Sequence, residues 1–335
     1  MALSDISAAV VRAAPDVDPE IRRFVETVAA DLATHPDLAS VPPADARLIL
    51  ELVRARWAAD GPVMAATLET ELPTRHGPVR MRVHRPLPGV ALPVLFYLHG
   101  GGWTFFSLDT HDRLMREYAA RAGVAVAGID YALAPEARFP VALEQTIDAL
   151  RWLEAAGPEF DLDPDRIAIG GDSAGANLAV AACLALRTAG EGRLVRGMLL
   201  NYGAFDGRSA ARGTNRYGGP GYMLGAEEMQ GYWRNYVNAE SELELPLVSP
   251  LCADLSGLPP SLLVIPECDL LAEQSHAMAE RLRRAGVPVE ARVYPGATHS
   301  FLEAASVARV SRAALADSAS WLRTVLADTT RGGVA

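Results

Sequence analysis

The run Ile167-Ala168-Ile169-Gly170-Gly171-Asp172-Ser173-Ala174-Gly175 leads into the apolar stretch Asn177–Leu186, and its reading decides the fold. A short apolar strand, a glycine-flanked serine and a helical run make the strand–turn–helix context that a G-x-S-x-G nucleophile elbow needs. Gly171 and Gly175 remove Cβ atoms where backbones approach closely. Ser173 then stands at a helix N-terminus, where the dipole favours developing negative charge. Alone, such a pentapeptide also fits a serine-capped glycine turn.

A second string sharpens the reading. Val94-Leu95-Phe96-Tyr97-Leu98 is continuously apolar and ends in His99-Gly100-Gly101-Gly102-Trp103. Three glycines let a chain present backbone N–H groups without side chains in the way. In acyl transfer, donors preorganised around the developing oxyanion are worth about 3–4 kcal/mol each. The expected donors are the N–H groups of Gly101, Gly102 and Ala174, with His99 bracing the turn.

A serine hydroxyl needs a base, and an imidazole base needs an orienting carboxylate. In this strand–turn–helix arrangement the chain order is serine, acid, histidine. Of the seven histidines, His276 and His299 follow Ser173. His276 falls within a helical pattern over 272–285, whereas His299 lies in a loop after the apolar strand Val289–Val293, so His299 is the candidate base. Asp269 follows the strand Leu262–Ile265 and is the leading candidate acid; Glu267 and Asp254 are alternatives.

Further apolar runs at Val124–Ile129 and Met198–Leu200 alternate with helical patterns near 109–121, 140–155, 173–187 and 305–326. Continuous rather than alternating apolar runs mark strands buried on both faces. They predict a mostly parallel central sheet with helices on both sides. Val79–His84 alternates apolar and basic residues and reads as a partly exposed strand. Two helices precede the first strand. One spans 18–32, with Asp18 as cap and Ile21, Phe24, Val25, Val28 and Leu32 on one face. The other spans Pro43–Ala59, with Leu48, Ile49, Leu52, Val53 and Trp57 as its apolar positions.

The stretch 205–244 is glycine- and tyrosine-rich, holds one short helix near Ala226–Val237, and reads as an insertion over the site. The expected organisation is an N-terminal helical cap segment (1–60) and a catalytic domain (61–335) carrying that insertion. Trp103, Phe105, Phe106 and the insertion's tyrosines, Tyr222 among them, are candidate substrate contacts.

Bulk properties exclude other classes. The net charge is −10, which disfavours a nucleic-acid partner. All 31 basic residues are arginine, which removes lysine Schiff bases, Ser-Lys dyads and a complete Walker P-loop. The three cysteines, Cys183, Cys252 and Cys268, have no zinc or disulfide spacing. No metal and no cofactor are expected. The N-terminus lacks the basic flank of a signal peptide, and Leu178–Leu186 is too short to cross a bilayer. A cytoplasmic protein without a membrane partner is the expectation.

These motifs resemble the hormone-sensitive lipase-like family, the bacterial esterase branch of the α/β-hydrolases. The resemblance spans residues 75–325 and rests on five elements in order. The histidine–triglycine turn and Gly171-Asp172-Ser173-Ala174-Gly175 are intact, with Tyr131-Ala132-Leu133-Ala134-Pro135-Glu136 between them. An aspartate followed by Pro-Leu and a His-Gly-Phe recur imperfectly. The resemblance implies an α/β-hydrolase fold with a helical cap, Ser173 as nucleophile, His299 as base and Asp269 as acid. It also implies hydrolysis of small short- to medium-chain acyl esters without a cofactor, and often a homodimer. The chain departs from the pattern at Ala132, where an arginine is usual, at Leu270, and at Ser300, where a glycine is usual. Amide, lactone or acetyl-group hydrolysis is the alternative within enzymes; a non-catalytic ligand-binding protein is the alternative outside them.

Overall fold

The computed structural model describes residues 13–208, 216–219 and 221–327. Eight strands form one sheet: β1 (Ala66–Leu72), β2 (Val79–Arg85), β3 (Leu92–Leu98), β4 (Ala125–Ile129), β5 (Leu162–Asp172), β6 (Gly197–Asn201), β7 (Ser261–Cys268) and β8 (Val289–Thr298). Their spatial order is β1-β2-β4-β3-β5-β6-β7-β8. β2 pairs antiparallel with both β1 and β4, and β3 to β8 run parallel. This is the mostly parallel sheet expected, with an antiparallel edge.

The edge departs from expectation. β1 (Ala-Thr-Leu-Glu-Thr-Glu-Leu) carries alternating burial at a sheet edge and has no apolar run to announce it. β2 is buried along nearly its whole length, not half exposed. Its basic residues are covered by acids from outside the strand: Arg82 pairs with Glu69, with Asp109 at 2.7 Å and with Asp112 at 3.0 Å. Arg80 pairs with Asp109 and Asp130, each at 2.7 Å. Multiple partners make such charges tolerable at low exposure.

Successive residues of β3 serve opposite faces, as a pleated strand requires. Val94, Phe96 and Leu98 join the core under α4 (Val141–Ala156), α5 (Ala174–Thr188) and α7 (Ala272–Arg284). Leu95 and Tyr97 join the core under α1 (Pro19–Leu32), α3 (Asp112–Ala122) and α8 (Arg309–Val325). α5 is buried on nearly every side: Ala174 to Leu184 and Leu186 are all buried.

The N-terminal segment supplies α1 and α2 (Pro43–Ala58). The Asp18 carboxylate caps α1, accepting from Glu20 N at 2.8 Å and Ile21 N at 3.3 Å. Phe24 meets Trp57 edge-on at 4.7 Å, joining the two helices. The apolar face assigned to α2 is corrected: Ala46, Leu50, Val53 and Trp57 point inward, while Leu48 and Leu52 are 64% and 67% exposed. The insertion contributes α6 (Ala226–Tyr236); residues 209–215 and 220, and 1–12 of the cap segment, lie outside the described residues. Asp16 ties the N-terminal segment to the 205–244 stretch, accepting from Tyr222 Oη at 2.9 Å and pairing with Arg216 at 2.7 Å. Among the described residues no helix is long and apolar enough to cross a membrane. Cys183 and Cys268 are buried and Cys252 is partly so; burial pushes the Cys183 thiol up to about 12.

Candidate active site

Register brings the two glycine motifs together at the carboxyl ends of the strands, where open parallel sheets place their ligands. Leu98 pairs with Gly171, and Asp172 pairs with Asn201. Ser173 joins β5 to α5 with φ 53° and ψ −114°, a backbone conformation unusual for a residue with a Cβ. It is held on both sides: Ser173 N donates to Asn201 O at 2.9 Å, and Ser173 O accepts from Ala204 N at 3.3 Å and Asn177 N at 3.2 Å. Gly175 is obligatory, since a Cβ there would lie 2.0 Å from Leu98 O.

The glycine turn has φ of 102° at Gly101 and 59° at Gly102. A Cβ on Gly101 would lie 2.2 Å from Phe105 O, and one on Gly102 would lie 2.2 Å from Cγ of Tyr232 on α6. The Gly101 carbonyl accepts from Thr104 N at 3.0 Å and Phe105 N at 2.9 Å. Among the described residues, the N–H groups of Gly101, Gly102 and Ala174 have no intramolecular acceptor. Three unpaired donors therefore lie on the turn and on the first residue of α5.

His99 braces the turn through one ring nitrogen. Burial, with His111 nearby, depresses its pKa to about 4, so the neutral ring donates Nδ1–H to Gly100 O at 2.8 Å. Its ring stacks on Tyr131 at 4.2 Å, and Tyr131 Oη donates to the His99 carbonyl at 2.8 Å.

The candidate acid and base lie at the ends of β7 and β8. Asp269 follows β7, His299 follows β8, and His299 Nδ1 lies 2.9 Å from Asp269 Oδ2. Asp269 is fully buried, and its second oxygen accepts from Leu271 N at 3.0 Å, so it presents one carboxylate face to the imidazole. The Nδ1–H donated to Asp269 leaves Nε2 with its lone pair. Burial alone would depress His299; the Asp269 charge and hydrogen bond outweigh it, helped by Asp172 and Glu228, and the pKa is raised. The His299 ring meets Tyr202 edge-on at 4.9 Å, next in chain to the Asn201 that holds Ser173. Ser300, where a glycine was expected, has φ 59°, so the position asks for a left-handed residue and serine occupies it.

The alternatives are engaged elsewhere. His276 is exposed on α7, Glu267 accepts from Gly296 N at 3.0 Å, and Asp254 closes a turn with Ser256 N at 2.9 Å. Of the candidate substrate contacts, Phe105 meets Tyr232 edge-on at 5.9 Å. Trp103 is fully buried in the core and stacked on Tyr236 at 4.2 Å. Tyr222 points its hydroxyl at Asp16.

Sequence reasoning missed the charge beneath the site. Asp172 is buried and accepts from Tyr97 Oη at 2.8 Å, with His111 Nε2 at 3.4 Å. Burial would raise its carboxyl pKa, but His111 and the Tyr97 hydroxyl hold it below the usual carboxylate value. Its place inside the elbow motif was the one available signal. Glu228 was also missed; its carboxylate accepts from the Tyr232 hydroxyl at 2.5 Å.

Known proteins agree with this architecture. The α/β-hydrolase fold family matches residues 95–303. A hyperthermophilic esterase from the archaeon Pyrobaculum calidifontis is 33% identical with a TM-score of 0.84, over 92% of this chain and 98% of that one. A thermostable carboxylesterase cloned from a metagenomic library is 32% identical with a TM-score of 0.80, over 87% and 99%. An ester hydrolase from the metagenome of Lake Arreo, in complex with a bipyridine phosphonate derivative, is 31% identical with a TM-score of 0.84, over 92% and 98%. With an elbow, a triglycine turn and strand-end acid and base on this sheet, the chain belongs to the α/β-hydrolase fold family, in its hormone-sensitive lipase-like branch.

Proposed function

We propose that the protein is a serine carboxylesterase acting on short- to medium-chain acyl esters. The observation that carries this reading is the 2.9 Å contact between His299 Nδ1 and Asp269, on the strand-end face that also carries the Ser173 elbow and the free N–H groups. Ser173 Oγ attacks the ester carbonyl as His299 Nε2 takes its proton. The tetrahedral oxyanion is bound by the N–H groups of Gly101, Gly102 and Ala174. His299 then protonates the departing alcohol, leaving an acyl-enzyme. Water, deprotonated by His299, attacks that acyl group, and collapse of the second tetrahedral intermediate returns Ser173 and releases the acid. Asp269 holds the imidazole tautomer and stabilises the imidazolium. The similar structures, all esterases or ester hydrolases, support the substrate class.

The α1–α2 segment and the insertion carrying α6 act together as the cap. The Asp16 bonds to Tyr222 and Arg216 support this pairing.

The test is a p-nitrophenyl ester series from acetate to palmitate. Turnover is expected to peak at short or medium chains and to fall by about a millionfold in Ser173→Ala. A folded protein with no turnover on any ester, or a Ser173→Ala variant that keeps its rate, overturns the reading.

A further inference from the structure

Helix α2 touches the oxyanion turn through consecutive turns of one face. Arg47, Glu51 and Arg54 lie at i, i+4 and i+7, positions that stack along a helix. Arg47 Nε donates to Thr104 O at 2.9 Å, its Nη2 donates to Ala134 O at 2.9 Å, and its guanidinium also pairs with Glu136 at 2.6 Å. Burial raises the Glu51 carboxyl pKa, and the Ser107 side chain acts against it. Arg54 sits over the Phe106 ring at 5.0 Å and, buried, binds Glu303 at 2.6 Å.

Each contact falls on a segment that shapes the turn. Thr104 and Phe105 donate to the Gly101 carbonyl, so Arg47 grips the far side of the peptide that closes the turn. Ala134 N donates to Trp103 O at 2.8 Å, so the second Arg47 bond braces the same strand of backbone from the other flank. Phe106 Cδ2 would lie 2.8 Å from a Cβ on Gly101, and Arg54 packs on that ring. Glu303 lies in the turn that follows His299.

We propose that Arg47 is a positioning residue for the oxyanion hole, and that α2 serves the reaction by fixing the Gly101–Gly102 donors as well as covering the substrate. A planar guanidinium spans two carbonyls and a carboxylate at once; an ammonium does not. The inference rests on the serine-esterase reading of the site.

The experiment measures kcat and KM on a short p-nitrophenyl ester, and inhibition by a trifluoromethyl ketone whose adduct with Ser173 places an oxyanion in the turn. The variants are Arg47→Ala, Arg47→Lys, Ser173→Ala and, as a control on the same helix, Arg56→Ala, whose exposed side chain pairs with Asp31 at 3.3 Å. Arg47→Ala is expected to lose about a hundredfold in kcat, the scale of a slight misplacement of donors, with KM within about twofold. Ketone affinity falls in step with kcat/KM, and Arg56→Ala matches the parent. Arg47→Lys shows a smaller loss in the same parameter, and it decides the matter if the alanine variant does not fold. Unchanged kcat in Arg47→Lys and Arg47→Ala, or a rise in KM with kcat retained, overturns the inference while Ser173-dependent turnover leaves the esterase reading standing. Turnover independent of Ser173 overturns both.

Discussion

Asp172, the residue before Ser173, accepts a hydrogen bond from the backbone of Gly100 at 3.2 Å. One buried carboxylate thus joins the nucleophile elbow to the start of the glycine turn. The contact also explains Gly100, because a Cβ there would lie 2.2 Å from Asp172 Oδ2.

Removing that carboxylate leaves Tyr97, Gly100 and His111 without a shared acceptor. Asp172→Ala is expected to cost about 3–5 kcal/mol in denaturant unfolding, the scale for breaking a buried charged pair, and to depress esterase turnover. The Tyr97 and Gly100 bonds both fall on Oδ1, so Asp172→Asn keeps them and loses less turnover than Asp172→Ala. Equal losses in both variants would show that the charge, rather than the tie to the turn, matters.

The raised pKa of His299 fixes the sign of the pH profile. Turnover needs the neutral imidazole, so kcat/KM rises with pH through a value above the ordinary histidine figure of about 6.5. Asp269→Asn removes the interaction that outweighs burial; the acid limb moves to lower pH and the plateau falls by about ten-thousandfold. An acid limb that stays in place would exclude Asp269 as the partner that sets it. For stability the sign is opposite: a raised folded pKa contributes fully below the unfolded value and is lost as pH rises through the folded one. The base is therefore active on the side where that contribution has gone.

Gly102 packs directly against Tyr232, since a Cβ on Gly102 would lie 2.2 Å from Cγ of the Tyr232 ring. Gly102→Ala is expected to displace α6 or the turn and to reduce turnover by about tenfold or more. Tyr232→Ala in the same chain should recover part of the loss, a coupling readable in a double-mutant cycle on kcat/KM. Additive losses would mean that the positive φ at Gly102, and not the ring, sets the cost.

Leu50 and its neighbours on α2 separate burial from hydrophobicity. Leu50→Ala is expected to cost about 2–5 kcal/mol, and Leu48→Ser and Leu52→Ser to stay within about 0.5 kcal/mol, by urea unfolding. Comparable costs at all three would place Leu48 and Leu52 against a surface this chain does not itself provide.

The parallel strands were legible because burial on both faces leaves unbroken apolar runs, as in Val94–Leu98 and Leu262–Ile265. β1 was not, because an edge strand needs only every second residue to be apolar, and Ala66–Leu72 offers Thr and Glu between them. The depth of β2 was hidden because its cover comes from acids distant in sequence, at Asp109, Asp112 and Asp130. Asp269 and His299 stood out by chain order and position after strands, and they meet at 2.9 Å. Arg47 carried no signal at all: its partners are 57 to 89 residues away, and nothing in α2's own pattern distinguishes it from the other arginines on its surface.

The helix behind Ser173 has a consequence for how this protein accommodates different substrates. α5 is enclosed by apolar packing along nearly its whole length, so it has no solvent-facing side toward which to shift, and the twisted backbone at Ser173 is pinned to it. On the proposed reading, Ser173 is in effect the fixed origin of the site's coordinates. Every adjustment to a bulkier or differently shaped ester has to be made by the parts that surround that origin, in the α1–α2 segment and the insertion. On the proposed reading, a change of specificity is a matter of re-cutting the α1–α2 segment and the insertion, while the elbow stays as it is.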